Sequence, residues 1–218
     1  MEFGVKEFED KRWRSHDSAI EFRHKAAVEL TEEGKVLDMG CGDGLVLQAL
    51  KKKNCDVHGV DISDVAVKKC LALGVPATVF DFTKGALPFT DGSFDTVIML
   101  DVLEHVLNPN DLLNEAARVS KKDIVISVPN FNSLPARLQA VFGHVPENNT
   151  PKKGHVYWFN YYELKKILSA SRLTVTVVKM NTVYEHVPGV GSLMALLSHI
   201  FPNVFALSFV VKAHKSEV

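Results

Sequence analysis

From Lys35 onward, short runs of consecutive apolar residues alternate with stretches whose apolar positions recur every three or four residues. The runs predict strands at Lys35–Met39, Asp56–Val60, Ala77–Phe80, Phe94–Leu100, Asp123–Val128, Leu173–Lys179 and Val204–Lys212. The periodic stretches predict helices at Leu45–Lys53, Asp64–Leu73, Pro109–Val119 and Tyr161–Ala170. Asn108 then Pro109 reads as a helix start, a capping side chain followed by proline at the first helical position. Asp111 adds negative charge at the positive end of that helix dipole. Residues 1–33 predict one or two helices, with Ile20, Ala27 and Leu30 at helical spacing and a stop before Gly34. Strand–helix alternation argues for an α/β fold, a doubly wound parallel sheet with helices on both faces. Ligands of such sheets bind beyond the carboxyl ends of the strands. Asn130–Phe159 interrupts the alternation with aromatic residues and Pro135, Pro146 and Pro151, and reads as an inserted cap at about 130–159. The expected organisation is thus an N-terminal helical segment, 1–34, and a domain over 35–218 that carries the cap.

Between Glu185 and Lys212 there is no Asp, Glu, Lys or Arg, which raises the question of a membrane span. Pro188, Gly189, Gly191, His199, Pro202 and Asn203 break the stretch into a helix-like piece, Gly191–Phe201, and a strand-like piece, Val204–Val211. No transmembrane segment is therefore expected. Leu193, Met194, Leu196, Leu197, Ile200 and Phe201 either pack on the domain or make residues 187–201 a protein- or membrane-facing surface.

Composition changes the picture little. Lys and Arg number 25 against 26 Asp and Glu, a net charge of −1, so no electrostatic case exists for a nucleic-acid partner. Lys51–Lys53 read as the solvated end of a helix. Cys41, Cys55 and Cys70 are odd in number and lack metal-ligand spacing, and the charged N-terminus is no signal peptide. The expectation is a cytoplasmic chain without a metal.

The chemistry concentrates in the run KVLDMGCGDG, Lys35 to Gly44. A strand enters Asp38 and then meets Gly40, Gly42 and Gly44 on alternate positions. Glycines there permit positive φ and let a ligand approach the backbone. Such a turn between strand and helix is expected to aim free N–H groups at that ligand. Asp61 ends the next apolar run, about 20 residues beyond the first glycine, where a carboxylate accepts ribose hydroxyls. A dinucleotide G-x-G-x-x-G needs glycine at position 45, which is leucine, and no Lys-Ser/Thr pair completes a phosphate loop.

The pattern [VI]-L-D-x-G-C-G-x-G resembles motif I of the class I S-adenosylmethionine-dependent methyltransferases. The resemblance implies a Rossmann-like seven-stranded sheet, six strands parallel and the last antiparallel. It implies S-adenosyl-L-methionine as cofactor, held around Asp38, Gly40, Cys41, Gly42, Gly44, Asp61 and Ile62. In family terms Asp81 faces the adenine amino group, Phe82 packs on the ring, and Leu100 and Asp101 lie beside the cofactor. Cys41 is a small residue that fits the turn. The segment DVLEHVLNP, Asp101 to Pro109, is similar to the ubiquinone-type O-methyltransferases, in which Glu104 and His105 edge the acceptor pocket. The later segments IVISVPNFNSLPARLQAVFGHVPE, GHVYWFNYYELKKIL and FPNVFALSFVVKAHK look like the MetW branch. The chain departs from that branch in its 34 residues ahead of the glycine loop and in the Glu104-His105 pair.

A hydroxyl acceptor must lose a proton, and His105 is placed by motif to take it, with His144, His155 and Tyr157 as weaker candidates. An [ND]-P-P-[YF] motif for amines of DNA bases is absent after the fourth strand. Methyl transfer to a small molecule, on oxygen, is the expected activity. Phe131, Phe142, Tyr157, Trp158 and Phe159 hint at a hydrophobic acceptor. The rival is a MetW-like accessory protein that assists a partner enzyme such as an acyltransferase, using residues 187–201. Trp13, Arg14 and His16 are expected to reach inward as the N-terminal segment closes over the cofactor.

Overall fold

The computed structural model describes residues 4–15, 19–183, 187 and 189–215; His16 lies outside them. Its elements, in chain order, are α1 (Val5–Arg14), α2 (Phe22–Leu30), β1 (Lys35–Met39), α3 (Leu45–Lys51), β2 (Asp56–Asp61), α4 (Asp64–Ala72), β3 (Ala77–Val79) and β4 (Phe94–Leu100). There follow α5 (Pro109–Val119), β5 (Ser120–Pro129), α6 (Leu134–Val141), α7 (Tyr161–Ala170), β6 (Leu173–Thr182), α8 (Val190–Ile200), α9 (Pro202–Phe205) and β7 (Ala206–Lys215). Seven strands form one sheet in the order β3-β2-β1-β4-β5-β7-β6. β1 runs parallel to β2 and β4, and β2 to β3, while β7 is the antiparallel strand, paired with β6.

The chain divides into two units, Met1–Leu100 with Asn114–Val125, and Asp101–Leu113 with Ile126–Val218. In the first, Val36, Leu37 and Met39 of β1 and Val97, Ile98 and Met99 of β4 are fully buried. Central parallel strands are covered on both faces, which is why they read as unbroken apolar runs. α3 packs through Val46, Leu47 and Leu50, and α4 through Ala66, Val67 and Cys70. The register sets Asp38 opposite Gly59 and Ile98, and Asp61 opposite Val79. The carboxyl ends of β1, β2 and β3 therefore share one edge.

Lys51–Lys53 do more than end a helix. Lys53 Nζ donates to the carbonyls of Val28 and Thr31 at 2.8 and 3.0 Å, tying down the end of α2, and Lys51 Nζ donates to Gly74 O at 2.9 Å. Helix α1 has no buried residue. It is held on the first turn of α4 by polar contacts: Asp10 Oδ1 accepts from Ser63 Oγ at 2.6 Å, and Lys6 pairs with Asp64 and Asp10. Exposed ion pairs of this kind contribute about 0–1 kcal/mol each, so the Lys6 pairs add little to holding α1 in place.

In the second unit, Phe209, Val210, Val211 and Ala213 of β7 are fully buried; α7 packs on β6 with Leu164, Ile167 and Leu168 buried, and its Tyr161 ring lies 5.3 Å from that of Phe209. The stretch 130–159 is closed at its base by Phe131 N donating to Phe159 O at 2.9 Å. Buried Asn130 donates through Nδ2 to Ala206 O at 2.7 Å, and its main-chain N–H donates to Leu207 O.

Several boundaries differ from expectation. β5 starts at Ser120, three residues early, because Lys121 and Lys122 continue the extended chain with their ammonium groups on Asp95 and Glu32. β7 starts at Ala206 instead of Val204, since Pro202 opens a helical turn through Phe205. The Asn108 side chain donates to the Asp111 carboxylate, whereas a capping side chain accepts from main-chain N–H groups. Among the described residues no helix is long and apolar enough to cross a membrane.

Candidate functional site

Gly42 and Gly44 have φ of +54° and +81°, the left-handed region that disfavours any side chain. Packing excludes one as well. A Cβ on Gly44 would stand 2.7 Å from Cys70 Sγ, and one on Gly42 would stand 2.4 Å from Trp13 Cη2. Trp13 thus lies directly on the turn, while Arg14 is exposed instead of reaching inward.

The N–H groups of the turn correct the expectation that they point free at a ligand. Gly40 N and Cys41 N both donate to Val60 O, at 2.7 and 3.1 Å, and Gly44 N donates to Cys41 O at 3.0 Å. Gly42 N donates to Asp61 Oδ2 at 2.9 Å. The turn is stitched to the end of β2, and its glycines supply shape and clearance. Cys41 and Cys70 stand 3.6 Å apart, Sγ to Sγ, and Cys70 reaches Gly42 O at 3.2 Å. The hydrogen bond to Cys70, then burial, pushes the Cys41 thiol up, so it packs as a neutral thiol.

Two carboxyl groups meet here. Asp61 is 5 % exposed and accepts one N–H on each oxygen, Gly42 N on Oδ2 and Ser63 N on Oδ1, the latter at 2.9 Å. Burial raises its pKa, opposed by those two N–H groups and by the charge of Arg12. Asp38 is 2 % exposed, and its Oδ1 has no hydrogen-bond partner among the described residues. Burial, then the charge of Asp61, pushes Asp38 up to about 8. A buried carboxyl next to a buried carboxylate fits a cationic ligand group, whose charge would compensate both.

Asp38 also makes a prediction for the ligand-free protein. Its folded pKa stands above the unfolded value of about 3.9. Its contribution to stability is therefore fully present below about pH 4 and is lost as pH rises to about 8. Asp38→Asn is expected to match the parent in melting temperature near pH 4 and to exceed it increasingly from there toward pH 8. Parallel melting curves across that range would contradict the assignment.

The third strand's exit follows the second. Phe80 N donates to Asp61 O at 2.8 Å, which sets Asp81 beside the end of β2. Asp81 pairs with Lys84 at 3.2 Å, and Phe82 opens a 3-10 turn with its ring 6.0 Å from that of Phe80. Ile62 is half-buried in the turn between Asp61 and α4, and Leu100 ends β4 half-buried.

The second unit begins with Asp101 at φ +54°, a strained position for a residue with a side chain. Its N–H donates to Ser127 O at 3.2 Å and to Ser127 Oγ, and the Ser127 hydroxyl donates back to the Asp101 carboxylate. Glu104 and His105 end the 3-10 turn Leu103–His105. His105 lies beside His155, ring centroids 4.9 Å apart, and His155 Nε2 is 3.9 Å from Glu104 Oε1. Sequence reading named His105 but not this grouping. Glu104, His105 and His155 were each candidates in the sequence, but His155 lies 50 positions after His105, and nothing linear joins it to the Glu-His pair. The aromatic residues of the insert divide: Phe131 and Phe159 are core, Phe142 and Trp158 are exposed. Tyr157 donates to Glu163 at 2.8 Å, and burial with that bond pushes its hydroxyl up to about 12.

Comparison with known proteins agrees with this architecture. Residues 23–175 match the family described as methionine biosynthesis protein MetW. The chain belongs to the MetW family. It is 28% identical over 156 residues to the bifunctional methionine biosynthesis protein MetXA/MetW of Rhodopirellula baltica, spanning 67% of this chain and 24% of that protein. It is 31% identical over 115 residues to the ubiquinone biosynthesis O-methyltransferase of Methylococcus capsulatus, spanning 50% and 48%. The MetW-family chain thus covers less than half the length of either relative. Magnesium protoporphyrin IX methyltransferase from Synechocystis, solved with bound S-adenosylhomocysteine, superposes with a TM-score of 0.67 at 18% identity, over 97% of this chain and 98% of that one. The fold is that of S-adenosylmethionine-dependent methyltransferases.

Proposed function

We propose that this MetW-family chain binds S-adenosylmethionine and transfers its methyl group to a hydroxyl of a small molecule. The observation that carries the reading is the buried pair Asp38 and Asp61 at the carboxyl ends of β1 and β2, one oxygen of Asp38 lacking a hydrogen-bond partner among the described residues. The cofactor brings a sulfonium and an ammonium, which answer that surplus of buried negative charge. Asp61 has lone pairs left for ribose hydroxyls after accepting its two N–H groups. Asp81 and Phe82 are our candidates for the adenine, Ile62 and Leu100 for apolar contact, and Asp101 for the methionine end. Trp13 serves as cover.

The donor carries its own leaving group, so the protein's work is to hold donor and acceptor in line while the S–C bond breaks and the O–C bond forms. The acceptor's proton must leave as well. His105 is the side chain we assign to that end of the reaction. The relatives named as ubiquinone biosynthesis O-methyltransferases support oxygen as the acceptor atom. The test is conversion of S-adenosylmethionine to S-adenosylhomocysteine, followed by mass spectrometry across a panel of hydroxylated small molecules. Turnover with at least one acceptor is expected. A well-folded protein that binds the cofactor and turns over none would contradict the enzymatic reading.

A second reading rests on the Rhodopirellula relative, in which a MetW part and a MetXA part share one chain. In α8 and just after it, Leu193, Leu196, Ile200 and Phe201 are exposed, while Met194 and Leu197 are half-buried. This apolar face suits an acyltransferase-type partner. Leu193→Asp with Leu196→Asp is expected to abolish co-purification with such a partner and to leave cofactor binding unchanged. Undiminished association would remove α8 as the interface.

A further inference from the structure

Glu104, His105 and His155 are arranged more specifically than removal of a proton requires. One ligand atom from each lies within 4.8 Å of the other two. Glu104 is 1 % exposed and the His155 side chain 9 %. Both imidazoles are oriented through main-chain carbonyls: His105 Nδ1 is 3.2 Å from Gly154 O, and His155 Nδ1 is 2.7 Å from Asn148 O. A carbonyl oxygen only accepts, so each Nδ1 carries a proton, and in the neutral ring the lone pair that can ligate a metal is on Nε2. Histidines that bind metals are commonly held this way by an outer carbonyl.

Spacing and support point in the same direction. His155 Nε2 and Glu104 Oε1 are 3.9 Å apart, too far for a hydrogen bond. Two donors that each stand about 2.1 Å from one ion are separated by about 3–4 Å. The main chain secures the grouping, because Val156 N and Tyr157 N both donate to Glu104 O, at 2.8 and 3.1 Å. The edge of Phe131 backs the His155 ring at 5.3 Å.

We infer that Glu104, His105 and His155 form a binding site for one divalent transition-metal ion. Two imidazoles and a carboxylate suit Zn2+, with Mn2+ and Fe2+ as weaker occupants, and disfavour Mg2+, which prefers oxygen donors. Three protein ligands leave at least one coordination position open. If the proposed methyl transfer holds, that position is where an acceptor hydroxyl would bind and be acidified, its proton passing to solvent, and His105 would then serve the deprotonation as a ligand to the ion instead of taking the proton itself. The metal site itself does not depend on that reading.

The test uses the full chain, stripped of metal by a chelator and titrated calorimetrically with Zn2+, Mn2+ and Mg2+. S-adenosylmethionine is titrated separately into the same preparation. One Zn2+ per chain, bound more tightly than Mn2+ and much more tightly than Mg2+, is expected. Glu104→Gln and His155→Gln are each expected to weaken Zn2+ binding about 100-fold or more while the circular dichroism spectrum is kept. His105→Gln provides a third variant should the buried Glu104→Gln fail to fold. Absence of Zn2+ binding in folded parent protein, or undiminished binding in the folded variants, would overturn the site. Loss of cofactor binding with Zn2+ binding intact would overturn the cofactor reading alone.

Discussion

Asp61→Ala is expected to weaken S-adenosylmethionine binding about 100-fold or more. The carboxylate closes the glycine turn onto β2 through Gly42 N and anchors the following turn through Ser63 N. Its loss leaves two main-chain donors without their acceptor in a buried place, at about 1–3 kcal/mol each. The proposed charge-assisted bonds to ribose hydroxyls disappear at the same time, and these are worth roughly 1.5–3 kcal/mol each. Part of the damage is therefore structural, and a fall in melting temperature should accompany the loss of affinity. Asp61→Asn separates the two effects. It keeps the shape but places an amide NH2 against one of the two N–H donors, so an intermediate loss is expected. Calorimetry with S-adenosylmethionine on both variants checks the series, and unchanged affinity in Asp61→Ala would contradict it.

Gly42→Ala is expected to be the most damaging change in the turn that adds only a methyl group. At φ +54° an L side chain meets about 1 kcal/mol or more of backbone strain. The new Cβ would also stand 2.4 and 2.5 Å from two carbons of Trp13, so the indole must leave the turn. Because α1 is held chiefly by exposed polar pairs, it is expected to detach before the turn distorts. The expected result is a loss of about 1–3 kcal/mol in stability and at least a tenfold loss of cofactor affinity. Trp13→Ala in the Gly42→Ala background removes the collision but not the strain, so stability should recover in part. Denaturant melts of the two singles and the double variant measure the coupling, and strict additivity would show that Trp13 does not occupy the turn in solution.

The sequence made the sheet legible because its central strands are parallel and buried on both faces, so Val36-Leu37 and Val97-Ile98-Met99 appear as unbroken apolar words. Ends were harder to place. Lys121 and Lys122 look like loop residues but sit in an extended strand, because ion pairs with Asp95 and Glu32 satisfy them without burial. Asn108 looks like a cap but gives its amide to Asp111. The glycine turn was recognisable from its spacing, yet the destination of its N–H groups was not. Satisfying them needs the Val60 carbonyl and the Asp61 carboxylate, about 20 residues away, to be brought alongside by the β1–β2 register. The Glu104–His105–His155 grouping was hidden for the same reason, since it takes the pairing of residues 156 and 157 with Glu104 O, and of His105 with Gly154 O, to bring His155 to the others.

The most direct measurement is calorimetric titration of the parent protein with S-adenosylmethionine and S-adenosylhomocysteine at about pH 6, 7 and 8. The account predicts one site per chain, with S-adenosylmethionine affinity rising toward pH 8 as Asp38 gives up its proton to meet the cofactor's positive charge. Absence of binding to well-folded protein across that range would contradict it.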